Sequence, residues 1–218
     1  MIVLAIDTAG VDCSAAVYDS SAGVVLGSAS ETIGRGHAEK LMEMIDRALA
    51  DAGIDLDAVE RIAVTVGPGS FTGIRVGVSA ARGLALALGV PAVGVSTLAV
   101  LAAAMVEERG ERPILAAIDA KRGEVYVQAF SSSGEPMAEA KITSIDAASG
   151  LGDGLNPILT GSAATLLSGG TGETQPDRYP IAVVARLGAA ARPDEKPKPL
   201  YLRGPGAKPQ TGFAIARM

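Results

Sequence analysis

Hydrophobic positions along the chain switch between short unbroken runs and a spacing of three and four, and the switches lay out the secondary structure. Ile2 to Ile6 is an aliphatic run ending at Asp7, the pattern of a strand covered on both faces. Residues 13–19 and 23–30 continue as two more strands around a Ser20-Ser21-Ala22-Gly23 turn. From His37 to Ala52 the apolar residues Leu41, Met44, Ile45, Ala48, Leu49 and Ala52 recur at helical spacing, and Gly53 supplies the stop. Arg61 to Val66 predicts another buried strand. It leads into the loop Gly67-Pro68-Gly69-Ser70-Phe71-Thr72-Gly73 and a helix from Ile74 to Leu88 closed by Gly89. A strand from Ala92 to Val95 and a helix from about Ser96 to Glu108 follow.

This order, three strands and then alternating helices and strands, matches one lobe of the actin-like (ribonuclease-H-like) α/β architecture better than a plain alternating sheet. A second, weaker copy begins near Pro113. Ile114 to Ile118 ends at Asp119 as Ile2 to Ile6 ends at Asp7, and Glu124 to Phe130 follows like the next strand of a meander. The Ser-, Gly-, Ala- and Asp-rich stretch 131–157 predicts only short elements, Leu155 to Thr160 returns to a sheet before Gly161, and 180–192 reads as helical. The expected organisation is two-lobed: residues 1–108, a reduced second lobe 109–192, and an extended tail 193–218 with five prolines.

Composition narrows the function. With 218 residues, 48% of them hydrophobic, the chain can bury a substantial core. A formal charge of −5 gives no general attraction for polyphosphate. Cys13 is the sole cysteine, which removes intramolecular disulfides and multi-cysteine metal sites and fits a reducing compartment. The apolar start is broken by Asp7 and lacks a basic flank, so it reads as a strand rather than a signal peptide. No stretch reaches the roughly 20 apolar residues of a membrane span. A cytoplasmic, membrane-free protein is expected.

Candidate chemistry is sparse. Asp7-Thr8 at the end of the first strand stands where a carboxylate and a phosphate-facing loop would serve a nucleotide, yet an Asp there is also an ordinary turn former, and the following loop has one glycine and no Lys or Arg. Gly67, Gly69 and Gly73 could present backbone N–H groups to an anion at a helix start, but the Walker spacing is absent because Ile74-Arg75 follows the last glycine. The plain alternative is a tight strand-to-helix turn capped by Ser70 or Thr72. Gly73, Gly77, Ala81 and Ala85 lie four apart and form a ridge without bulk, and a mid-helix glycine costs about 1 kcal/mol relative to alanine. Close approach of a second helix would compensate, either the 37–52 helix of the same chain or a partner. His37 is the only histidine, which limits metal sites and nucleophilic triads, and it reads as an exposed helix start. Lys121 and Arg122 sit at a polar turn after Asp119, either a hairpin tip or a contact for a phosphate or an acidic partner.

Taken in order, Ile6-Asp7-Thr8 with Cys13-Ser14, Arg35-Gly36-His37, the block Gly67 to Arg75, Ile118-Asp119-Ala120 with Gly123-Glu124-Val125-Tyr126, and Pro199 with Tyr201-Leu202-Arg203 resemble the TsaB (YeaZ) family over nearly the whole chain. The resemblance implies a two-lobed actin-like fold without a catalytic centre of its own. It also implies a heterodimer with a TsaD-type catalytic subunit through helices of the first lobe, activity in tRNA threonylcarbamoyladenosine synthesis together with a TsaE-type ATPase, and only indirect contact with tRNA. On this reading the partner interface comprises His37, Leu41, Met44, Ile45, Ala48, Gly73, Gly77, Ala81 and Ala85, and the free chain forms a homodimer through the same face. Asp7, Thr8, Gly67, Gly69 and Gly161 would be vestigial nucleotide-facing positions. No metal or cofactor is expected in the isolated chain, ATP or ADP entering only in the complex. The alternative is an independent actin-like ATPase or a glycoprotease-like peptidase.

Overall fold

A computed structural model of the chain describes residues 1–109, 112–152, 154–170 and 174–203. The last part of the expected tail, 204–218, lies outside the described residues. Two sheets organise them. The first holds β1 (Ile2–Asp7), β2 (Asp12–Asp19), β3 (Val24–Thr32), β4 (Arg61–Gly67) and β5 (Ala92–Ser96) in the order β3-β2-β1-β4-β5. β3, β2 and β1 are antiparallel, and β4 and β5 run parallel to β1, with Leu4 opposite Val17 on one side and Ile62 on the other. The second sheet holds β6 (Ile114–Lys121), β7 (Glu124–Phe130), β8 (Lys141–Ser144) and β9 (Ile158–Thr160) in the order β8-β7-β6-β9, again antiparallel except for the parallel β6–β9 pair. It repeats the first sheet with the fifth strand missing, and β6 occupies the place of β1. The internal repeat legible in Ile2–Asp7 and Ile114–Asp119 is therefore a repeat of topology.

Helices α1 (His37–Ala52) and α2 (Phe71–Leu88) cover one face of the first sheet. Each ends at a left-handed glycine, Gly53 and Gly89, whose N–H closes the last turn. α6 (Ile181–Ala190) covers the opposite face. Adjacent residues of β4 point to opposite sides, so Val64 lies against Gly77 of α2 while Ala63 lies against Gly188 of α6. Although α6 follows the second sheet in sequence, it belongs to the core of the first. Arg61 fastens it there by donating to the carbonyls of Gly188, Ala189 and Ala191 at 2.8–3.1 Å. α3 (Thr97–Arg109) lies between the sheets, touching β4, β5, β6 and β9.

Alternation along β6 splits its side chains. Ile114, Ala116 and Ile118 join the large core shared with the first sheet. Leu115 and Ala117 join a smaller cluster with Val125, Val127, Ala148 and Leu167, roofed by α4 (Ile145–Ser149) and α5 (Ala164–Leu167). β8 and α4 fall inside the stretch 131–157 whose composition predicted only short elements.

Candidate functional site: the junction of the two sheets and an apolar helix face

The sequence-predicted positions Asp7, Thr8, Gly67 and Gly69 converge at the carboxyl ends of β1 and β4. Asp7 is fully buried; its Oδ1 accepts hydrogen bonds from Thr65 Oγ1 (2.6 Å) and the Ala9 amide (3.0 Å), while its Oδ2 has no partner among the described residues. Burial pushes this carboxyl up to about 6, and the Thr65 and Ala9 bonds offset only part of that effect. Cys13, also buried, is inert for a related reason: burial, then the charge of Asp7, pushes its thiol up to about 11.

The glycine loop serves the chain itself. The Ser70 amide donates to Ala9 O (2.8 Å), and the Gly73 amide donates to Ser70 Oγ (3.2 Å), which makes Ser70 the N-cap of α2. Thr8 Oγ1 donates to Gly73 O at 2.7 Å. A Cβ on Gly69 would meet Ala9 O, and one on Gly73 would collide with Thr8 O. These glycines exist so that the β4–α2 loop can lie on the β1–β2 loop, and of its amides Ser70 N–H is engaged there and Gly73 N–H by the Ser70 cap. Gly77 has the same reason, since a Cβ there would overlap Thr8 Oγ1. The ridge compensates by close approach to β1 and β4, an occupant that sequence spacing could not identify.

Gly161 stands apart, at the end of β9 in the second sheet, with φ of +90° and no room for a Cβ beside Ala117 O. Between it and the β1–β2 loop lie residues 174–180, which sequence reasoning did not single out. Asp177 accepts from both the amide (3.0 Å) and Oγ (2.8 Å) of Ser162, Arg178 Nη1 donates to both carboxylate oxygens of Asp12 and to Thr32 Oγ1, and Tyr179 is buried. Burial raises the Asp177 carboxyl, the Ser162 bonds opposing it. The Tyr179 hydroxyl lies beside Thr97, whose Oγ1 donates to Pro68 O at 2.6 Å, and makes no well-formed hydrogen bond among the described residues. Asp119, the counterpart of Asp7, is differently placed. Burial disfavours its charge, but the Lys121 ammonium (2.7 Å) and the Lys121 amide outweigh it and hold the carboxyl below its usual range. Lys121, Arg122 and Gly123, all at positive φ, form the tip between β6 and β7.

The nine residues expected at a partner interface need correction. His37, Leu41, Met44, Ile45, Ala48, Gly73, Gly77, Ala81 and Ala85 are all buried inside the chain, because helical spacing of apolar residues marks the face that meets the chain's own sheet. His37 is no exposed helix start either: only 5% exposed, it places Nε2 3.2 Å from Asp12 O. The available surface is the other side of the same helices. On α2, Val76 and Ala80 are half-buried and Gly83, Leu86 and Ala87 are exposed, Leu86 to 83%. α2 has the length and composition of a minimal membrane span, yet it carries Arg75 and Arg82 on its exposed side and rests on β4. At its start, the Arg75 guanidinium stacks 3.8 Å from the Phe71 ring centroid and donates through Nε to Tyr201 Oη at 2.8 Å.

Comparison with known proteins places this arrangement. A family model described as TsaD: tRNA N6-adenosine threonylcarbamoyltransferase matches residues 18–165. The tRNA threonylcarbamoyladenosine biosynthesis protein TsaB of Escherichia coli is 40% identical over 126 residues, 58% of this chain and 53% of that protein, so the match spans about half the length of this curated relative. A tRNA N6-adenosine threonylcarbamoyltransferase of Jannaschia sp. is 51% identical over 73 residues, 34% of this chain and 20% of that protein. The solved structure of YeaZ from Pseudomonas aeruginosa superposes with a TM-score of 0.73 at 30% identity, covering 92% of this chain and 99% of that one. With the two-sheet topology and the family's sequence blocks in order, these matches show that the chain belongs to the TsaB (YeaZ) family.

Proposed function

We propose that the chain is a non-catalytic partner subunit in tRNA threonylcarbamoyladenosine synthesis, docking on a TsaD-type catalytic subunit and holding it in its active arrangement. The observation that carries the reading is the outward side of α2. An 18-residue helix with two charges leaves Val76, Ala80, Gly83, Leu86 and Ala87 partly or fully uncovered. Contiguous apolar surface of this kind, low enough in bulk for a second helix to come near, is what a protein interface covers. The curated relatives named for this biosynthesis support the pathway, and the likeness to a TsaD family model supports a TsaD-related partner. On this reading the isolated chain needs no cofactor, a TsaE-type ATPase joins at the level of the complex, tRNA is contacted through the assembly, and the free chain pairs with itself by the same face.

The experiment mixes the purified chain with a TsaD-type subunit, follows the complex by size-exclusion chromatography with light scattering, and scores tRNA modification after adding the ATPase. Gly83→Arg is the diagnostic substitution, since nothing lies within 4 Å of the position its Cβ would take. Loss of complex and of modification from a variant that melts like the parent is the expected result. A complex indifferent to Gly83→Arg and Leu86→Arg would refute the docking face.

A further inference from the structure

The segment from Thr174 to Pro180 binds both sheets through consecutive residues. Asp177 is tied to the second sheet by two hydrogen bonds to Ser162 at the end of β9. Its carbonyl oxygen turns the other way and accepts from the Val11 amide of the β1–β2 loop at 3.4 Å. Arg178 reaches the first sheet at Asp12 and Thr32, and Thr174 Oγ1 donates to Asp119 of β6 at 3.3 Å. The Asp177 carbonyl fits only because residue 10 is glycine: a Cβ there would collide with that oxygen and press on the Tyr179 ring. Gly10 has an ordinary φ, so the close approach of this segment is the one structural reason for a glycine at that place.

Beneath the segment two buried polar atoms, Asp7 Oδ2 and the Tyr179 hydroxyl, lack a hydrogen-bond partner among the described residues. Unpaired buried polar atoms oppose closure, and water would satisfy both on opening. The charged contact that opposes them, Arg178 with Asp12, lies at the surface with Arg178 half exposed.

We propose that residues 174–180 form a latch that ties the two sheets together over the end of β1, and that the latch releases as a unit rather than contact by contact. Release exposes Asp7 and frees the Ser162 and Val11 amides together. This inference is independent of which protein covers α2.

Hydrogen exchange of the full chain, read at single amides by NMR, tests it. Arg178→Ala removes bonds to the first sheet alone, yet a latch that moves as a unit makes the Ser162 amide, in the second sheet, exchange roughly three- to tenfold faster along with Val11, the worth of a half-exposed ion pair with Asp12 and a bond to Thr32. Gly10→Ala does the same from the opposite side, and Tyr179→Phe, which removes one unpaired hydroxyl, slows exchange at both amides. Protected amides in β1 and β4 exchange through global unfolding, which breaks the Arg178 contacts too, so they accelerate by a similar factor while remaining the slower set. If Arg178→Ala accelerates Val11 but leaves Ser162 at the parental rate, or if Ser162 and Val11 exchange as slowly as the β1 and β4 amides, so that only global unfolding frees them, the latch is refuted.

Discussion

Replacing Asp7 by Asn tests the electrostatic account of the sheet junction, because the fold holds this carboxylate against its own interest. The side chain is fully buried and its pKa is pushed from 3.8 to about 6, so the folded protein binds the proton more tightly than the unfolded chain does. Stability from this group is complete below the unfolded value and is lost as pH rises through the window between 3.8 and about 6, above which the loss is constant. At about 1.4 kcal/mol per tenfold change in proton affinity, the ionised group costs on the order of 3 kcal/mol near pH 7.5 and only about 1 kcal/mol near pH 4.5. Asn keeps the oxygen that accepts from Thr65 and Ala9, and it places an amide where Oδ2 lacked a partner, at a cost of about 1–2 kcal/mol. The variant is therefore more stable than the parent by about 1–2 kcal/mol near pH 7.5, with Tm higher by about 2–6 °C, and equal or slightly less stable near pH 4.5. Urea denaturation of both proteins at the two pH values, followed by circular dichroism, gives the double difference, expected at about 2 kcal/mol. A difference that does not change with pH, or that moves in favour of the parent as pH rises, refutes the reasoning.

Three further outcomes follow from contacts elsewhere. Arg61→Ala strips three carbonyls at the end of α6 of their common donor and lowers stability by about 2–3 kcal/mol, read as a drop in Tm of about 5–10 °C. Gly83→Ala meets open space on an exposed helical turn and raises stability by about 1 kcal/mol, measured by the same melt. Gly77→Arg, in contrast, forces a side chain into Thr8 and Val64, so the expected product is unfolded or insoluble protein by circular dichroism, and a folded variant would show that the α2–β1 packing has been misjudged.

The first half of the fold was legible because its strands and helices follow the two periods closely. The run Ile2–Ile6 lies fully inside a sheet, and the 37–52 helix ends at the predicted glycine. β8 and α4 were obscured because β8 is a four-residue edge strand with no fully buried position, so no run of apolar residues marks it. The position of α6 was hidden for another reason: its partners in β1 and β4 are more than a hundred residues away, and periodicity carries no information about which sheet a helix meets. The candidate interface went astray on a point of principle. Leu41, Met44, Ile45 and Ala48 were the clearest helical pattern in the chain, and the clearest pattern belongs to the face that folding buries. A docking face has to be sought among the apolar residues that break the pattern, and Leu86, Gly83 and Ala87 do so on the far side of α2.

The two halves of the repeat met the same difficulty at the same place and resolved it differently. Asp7 is the last residue of β1 and Asp119 lies two residues before the end of the equivalent strand β6, each next to the antiparallel partner that follows it. Asp119 has Lys121 within 2.7 Å and stays charged at little cost, whereas Asp7 has only a hydroxyl and an amide on one oxygen and nothing on the other. Position rather than residue type makes the difference: the β6–β7 tip reaches water, so a lysine can sit beside the carboxylate. The β1–β2 loop is roofed by the glycine block on one side and by Asp177 and Tyr179 on the other. Packing of that loop leaves the ends of β1 and β4 lined by the chain's own atoms. The surfaces left with unmet apolar area are then the outward faces of the helices, and the argument for partner docking starts there.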